Sequence, residues 1–372
     1  MSLGAVRRTA GQLADGRAIF YYDDDPAAPA RDAVDRRRLP PRHPTSEVRH
    51  DPLLGWSVIV APQRQTRAYH PASEDCPLCP SRPGHLTEVP AADYDVVVVE
   101  NRFPALSDPG LFPAGGEVDG LLAPRPGVGR CEVVVFTPDH DASFVDLSPR
   151  HVGTVLAAWT DRTDALSRHP EVTQVFCFEN RGRDIGVTLE HPHGQIYAYP
   201  FVTPRTERTL TTVAAHRAST GRNLFDDVVG AEAAAGLRVV TANDHWIAFV
   251  PHAARWPYEV HLYPTRRVPD LTFLDDRQRA ALPPIYLDLV ARFDRLFDGR
   301  TPYVAAWHQA PAVDSRADFA LHLELFTVRR APGKLKHLAG SESGMDVFSN
   351  DVVPEEAAAR LRDVARPATA GC

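Results

Sequence analysis

His191, Pro192, His193, Gly194 and Gln195 form a run in which two imidazoles stand two positions apart. On an extended segment that spacing sends both side chains to one face of a sheet. A neutral imidazole can attack phosphorus, ligate a metal or shuttle a proton, and its neighbours decide among these roles. Pro192 fixes φ between the pair, and Gly194 is expected to let the backbone approach a bulky anionic ligand. Gln195 offers a neutral donor to a phosphate oxygen without competing as a base. The run outlines a nucleotide-transfer site. The alternative is a histidine pair that caps a buried strand.

Cys76-Pro77-Leu78-Cys79 has the spacing that lets two sulfurs reach one tetrahedral ion, but a closed structural site wants four ligands. A redox dithiol is the competing reading, and no thioredoxin-like context surrounds the pair. Arg64 and Arg67 could hold phosphates through charge-assisted hydrogen bonds, or be solvated surface groups.

The elements that must position these groups are partly legible. Residues 1–44, rich in Asp, Arg and Pro, read as an irregular arm, either wrapped on the molecule or a mobile tail. Strands are expected at 56–61, 131–136, 172–178 and 195–198, a helix at 151–166, and a Gly- and Pro-rich loop at 107–129. The pattern then recurs. Glu132-Val133, Pro138, Leu147 and the helix are echoed by Glu259-Val260, Pro264, Leu271 and a helix ending near Leu296. The offset of roughly 125–130 residues is that of a duplicated domain. The second copy retains only His322 of the paired histidines, which places the chemistry in the first half.

With 372 residues, two domains or one large one are expected. A net charge of −7 disfavours nucleic acid and anionic membrane as partners. Nearly all positive charge is arginine; the lysines are Lys334 and Lys336. No apolar run would span a bilayer, and the amino terminus lacks the hydrophobic core of a signal peptide. Five sparse cysteines do not suggest a disulfide framework, so a cytoplasmic location is expected.

Taken in order, these motifs resemble the galactose-1-phosphate uridylyltransferases, a branch of the histidine-triad superfamily with glutamine third in the motif, as Gln195 is here. The resemblance also includes Arg49-His50-Asp51-Pro52, Asn101-Arg102-Phe103-Pro104, Phe136-Thr137-Pro138-Asp139-His140, Trp307-His308 and Leu321-His322. It spans residues from about 49 to 362. It implies an α+β fold of two histidine-triad-like domains in tandem, each an antiparallel sheet with packed helices. The expected division is an arm at 1–44, a catalytic domain at 45–205 and a second domain at 206–372.

The implied activity is uridylyl exchange between UDP-glucose and galactose 1-phosphate, by a ping-pong mechanism through a covalent uridylyl-His193 assisted by Gln195. The resemblance further implies substrate contacts at Arg64, Arg67, Asn101, Phe103, Asn180, Gly186, Thr188, Lys336 and Glu342. The two arginines would reach the nucleotide of a partner subunit, making a homodimer with shared active sites the functional unit. Arg102 stands where relatives often carry an acid, which leaves the local ribose contacts open. Zinc would be held by Cys76, Cys79, His140 and His191. A second metal, iron or zinc, would use His308, His322 and Glu324, where Glu324 replaces a histidine; the other reading is a vestigial, hydrogen-bonded set. The rival functions are an ADP-sugar or dinucleotide phosphorylase with the same histidine, and a catalytically silent nucleotide-binding scaffold.

Overall fold

Valines 96–99, followed by Glu100, make a strand whose five residues are all buried, because β-branched side chains suit a sheet covered on both faces. In the computed structural model, which describes residues 6–66, 69–111 and 120–365, this strand lies inside one large antiparallel sheet. The described strands are β1 (Arg7–Gln12), β2 (Ala18–Asp23), β3 (Glu47–Asp51), β4 (Trp56–Val60), β5 (Val96–Glu100), β6 (Arg125–Pro126), β7 (Arg130–Val135) and β8 (Gln174–Arg181). They continue with β9 (His193–Tyr199), β10 (Val239–Ala242), β11 (Trp246–Phe249), β12 (Val260–Pro264), β13 (Tyr303–His308), β14 (His322–Phe326), β15 (Arg329–Ala331) and β16 (Lys334–Leu335). The α-helices are α1 (Pro149–Ser167), α2 (Pro204–Thr220), α3 (Leu224–Ala235), α4 (Asp276–Asp294), α5 (Gly340–Met345) and α6 (Pro354–Asp363).

Eleven strands form the main sheet in the order β1-β2-β5-β7-β9-β8-β13-β14-β12-β11-β10. The duplication read from the sequence is visible in it. The first half runs β7, α1, β8, β9 and the second runs β12, α4, β13, β14. The halves join edge to edge where β13 pairs with β8, with Ala305 opposite Glu179. The fold is therefore α+β, built of two antiparallel halves with α1 and α4 packed on one face and α3 against the other.

Each long helix starts on a strong local signal. Ser148 caps α1 by accepting from the His151 N–H at 3.1 Å, with Pro149 at the first helical position. Asp275 and Gln278 cap α4 reciprocally. Both helices press apolar stripes onto the sheet, where Trp159, Trp246, Trp307, Phe144 and Phe293 are fully buried in one core. Removing one such ring would cost about 3–5 kcal/mol.

Two expectations are corrected. The arm is not irregular throughout. Its first part is the β1–β2 hairpin, which extends the sheet by pairing Ile19 with Val99. Gly16, at φ +83°, makes the turn, and the Asp15-Gly16 pair was its signature in the sequence. The second departure is the helical pair α2–α3, which lies between the halves and outside the repeat. Among the described residues no helix is long and apolar enough to cross a membrane.

Candidate active site and metal centres

His193 opens β9, opposite Val135 of β7, and alternation along the strand puts His193, Gln195 and Tyr197 on the face away from α1 and α4. Its ring is oriented by one contact, Nδ1 to the His191 carbonyl at 2.7 Å. A carbonyl only accepts, so Nδ1 carries the proton and Nε2 keeps its lone pair. Burial lowers the His193 pKa below the ordinary histidine value, which favours the neutral ring.

His193 lies between two cavities. One, of about 440 Å³, is walled by Arg64, Asn101, Phe103, Thr188 and Gln195 together with Leu78, Val99 and Val133. The other, of about 250 Å³, is walled by Asn180, Arg181, Arg183, Ser143 and Arg300. The first has an apolar wall suited to a base; the second sets Arg181, Arg183 and Arg300 among Asp141, Glu179 and Glu190. Arg64 donates from Nη1 to the Tyr197 hydroxyl at 3.0 Å and lines the cavity of its own chain. Asn101 accepts the Phe103 N–H at 2.8 Å, which fixes that loop.

The structure does not bring every expected residue to this place. Arg67 lies outside the described residues. Gly186 ends the turn Arg183–Ile185 at φ +82° and serves its backbone shape, lining neither cavity. Lys336 and Glu342 also line neither. They are buried against each other, Nζ to Oε1 at 2.8 Å, with the Lys336 ammonium 5.9 Å from the Trp256 ring centre. Gly194 has a different purpose from the one expected: a Cβ there would meet Phe136 Cζ at 2.8 Å and the Phe178 carbonyl at 3.0 Å. It permits close packing on the face covered by α1 and α4, not the approach of a ligand. Arg17 and Glu88 line the larger cavity and carried no motif in the sequence.

Cys76, Cys79, His140 and His191 converge as a candidate metal centre. Cys79 Sγ is 3.5 Å from His140 Nδ1 and 3.4 Å from His191 Nδ1. His191 Nε2 lies 2.7 Å from the Thr137 carbonyl, so it bears the proton and leaves Nδ1 for an ion. Burial, reinforced by the neighbouring Cys76, pushes the Cys79 thiol up to about 12. A thiol held up in this way ionises readily only against a cation, and with a second sulfur and two imidazoles beside it the donor set fits a divalent metal.

His308, His322 and Glu324 form a second convergent set, and Glu259 and His261 share Glu324 with it. His308 Nε2 and His322 Nε2 each stand 3.4 Å from a Glu324 oxygen. Two guanidinium groups are there as well: Arg205 is 2.5 Å and Arg255 3.3 Å from the same carboxylate. Burial alone would raise the Glu324 carboxyl, but His308, His261 and Arg205 hold it well below the usual range. The charge an ion would supply is already provided by arginine, and a metal fits this set poorly.

Fold and site define a protein of duplicated antiparallel halves, one of which presents His193 between two cavities. Residues 40–203 match the galactose-1-phosphate uridyl transferase N-terminal domain family, and residues 209–369 match the C-terminal one. A galactose-1-phosphate uridylyltransferase of Streptomyces lividans is 52% identical over 97% of this chain and 98% of its own length. One of Thermotoga maritima is 37% identical over 85% of this chain and 98% of its own. A solved uridylyltransferase structure superposes with a TM-score of 0.76 at 33% identity, covering 86% of this chain and 98% of that one. The chain belongs to the galactose-1-phosphate uridylyltransferase family.

Proposed function

We propose that this chain exchanges a uridylyl group between UDP-glucose and galactose 1-phosphate through a covalent intermediate on His193. The observation that carries the reading is the Nδ1 contact to the His191 carbonyl, which frees Nε2 between the two cavities. Nε2 attacks the α-phosphorus of UDP-glucose, the N–P bond forms, and the bond to the glucose 1-phosphate oxygen breaks. The Nδ1 proton stays in place and the His191 carbonyl steadies the resulting positive ring. A phosphate oxygen of galactose 1-phosphate then attacks the same phosphorus, and the N–P bond breaks to release UDP-galactose. No proton is transferred in either step.

Gln195 and Thr188 are read as donors to the nonbridging oxygens, where charge accumulates. Asn101, Phe103 and Arg64 are read as nucleotide contacts, and Asn180 as the wall on the sugar-phosphate side. Gly186 shapes the loop that carries Thr188. Cys76, Cys79, His140 and His191 would hold zinc, whose tetrahedral preference suits two thiolates and two imidazoles. When bound it would fix the cysteine loop against the strand that carries His193. The His308, His322 and Glu324 set is read as ion-paired, with no iron or zinc.

The division proposed is catalytic for residues 45–205 and supporting for residues 206–372. A cytoplasmic homodimer completes the reading. Leu53, Leu54 and Val58 are 94%, 59% and 53% exposed on the β3–β4 hairpin, an apolar surface suited to a partner. Such a partner would have to bring Lys336 and Glu342 to the site if they contact substrate.

The test is intact-protein mass spectrometry after mixing with UDP-glucose, beside a His193→Gly variant. A gain of one UMP, absent in the variant and removed by galactose 1-phosphate, is expected. A folded protein that gains no mass would refute the covalent route. A gain from ADP-glucose instead would move the activity to an adenylyl donor.

A further inference from the structure

The family match begins at residue 40, yet residues before that point reach the larger cavity beside His193. The β1–β2 hairpin places Arg17 there, 1% exposed. Its guanidinium is fixed on three sides, by Asp15 at 2.7 Å, the Glu100 carbonyl at 2.9 Å and Glu88 at 2.5 Å. Arg37, farther along the same segment, holds the other oxygen of Glu88 at 2.7 Å and is itself braced by Asp35 at 2.8 Å. Asp35 accepts the Ala14 N–H at 3.1 Å, which ties this return segment back to the hairpin. Glu88 is thus a cavity-lining carboxylate clamped between two arginines from the amino-terminal segment.

We infer that residues 6–39 are part of the nucleotide site and that Glu88, clamped between Arg17 and Arg37, binds the ribose diol. The inference rests on the reading of this cavity as the nucleotide site of a uridylylated His193. A carboxylate offers about four acceptor sites; the short contacts from Arg37 and Arg17 take one on each oxygen, and the long ones, from Arg37 at 3.4 Å and Arg102 at 3.5 Å, are those a diol would replace. Vicinal hydroxyls supply two donors. A uracil edge supplies one N–H flanked by two carbonyls, which a carboxylate would repel. Among the cavity walls, Val99, Phe103 and Leu78 are left for the base. Arg102 lies 3.5 Å from Glu88 as an outer member of the same cluster. The amino-terminal segment supplies the close counter-charges of Glu88.

The full-length enzyme should therefore prefer UDP-glucose to 2′-deoxy-UDP-glucose by roughly 10–100-fold in kcat/KM, the worth of a hydrogen bond to a charged group. Glu88→Gln should raise KM for UDP-glucose by about tenfold, change kcat little and remove most of that preference. Arg37→Gln should move both quantities the same way, Arg37→Lys should restore part of them, and KM for galactose 1-phosphate should stay constant. Equal kcat/KM for the two nucleotides in the unmodified enzyme overturns the inference without any variant. So does a folded Glu88→Gln enzyme, judged by an unchanged thermal melt, that keeps the preference. If UDP-glucose leaves no UMP on the unmodified protein, the underlying reading fails instead, and the two failures are told apart.

Discussion

His193 and His322 occupy equivalent places in the two halves, each at the start of its strand with Nδ1 against the carbonyl two residues earlier. The contacts are 2.7 Å to His191 and 2.9 Å to Ala320. Gln195, opposite Val133, corresponds to Glu324, opposite His261. The same backbone device orients both rings, but their surroundings differ. His322 is buried between Tyr263 and His308, at ring distances of 4.7 and 4.9 Å, and burial brings its pKa down to about 4. His193→Ala should therefore abolish uridylylation while leaving the fold intact. His322→Ala should retain the UMP adduct and lose about 2–4 kcal/mol of stability by leaving a cavity. Mass spectrometry and urea denaturation separate the two, and an adduct lost in folded His322→Ala would contradict the assignment.

The zinc reading makes a stoichiometric prediction. Purified protein should hold about one zinc per chain, and Cys79→Ser should lose it together with most of kcat, on the order of 10–100-fold. Elemental analysis beside a rate assay checks this. Full activity in zinc-free protein would remove the ion from any role in positioning His193.

Arg205 gives the complementary test. Taking away its guanidinium leaves Glu324 beside two imidazoles with the more distant Arg255 as its remaining arginine. Arg205→Ala should raise the bound metal from about one to about two equivalents after equilibration with zinc or ferrous iron, since the remaining groups offer three ligands. Two equivalents in the unmodified protein would show that arginine does not stand in for an ion here.

Glu179 sets a pH dependence of stability. It is 3% exposed, accepts from the Tyr303 hydroxyl at 3.0 Å, and burial raises its pKa from 4.5 to about 7 against the pull of Arg181. A carboxyl with a raised pKa binds its proton more tightly folded than unfolded. Its contribution is full below about pH 4.5 and is lost as pH rises through 7. Over that window the loss should be about 2–3 kcal/mol. Glu179→Gln should be relatively more stable at pH 8 than at pH 5, by urea denaturation. Parallel stability curves for the two proteins would refute it.

The parts of this site that obey a local period were legible beforehand. Alternation on the strand of His191, His193 and Gln195, the two-residue gap between Cys76 and Cys79, and the repeat that relates α1 to α4 all follow from chain geometry. Residues defined by distant partners were not. Glu88 gains its place from Arg17 and Arg37, and Glu324 from Arg205 and Arg255, pairings that no spacing encodes. Lys336 and Glu342, read from the sequence as sugar contacts, hold each other within one chain, a pairing that spacing alone does not reveal. Gly194 was singled out correctly but for the wrong neighbour, because a sequence does not say which face of a strand is crowded.

The ladder between β8 and β13, from Tyr303 opposite Arg181 to Trp307 opposite Cys177, runs through the centre of the molecule. Many bifunctional sites open by swinging two lobes about a hinge. That motion would here require breaking the middle of a continuous sheet and parting α1 from α4. Glucose 1-phosphate must leave, and its epimer must enter, past side chains and loops at the cavity mouths while the hull stays shut. Access to His193 then lies through those mouths, and the sheet itself offers no joint on which the two halves could turn.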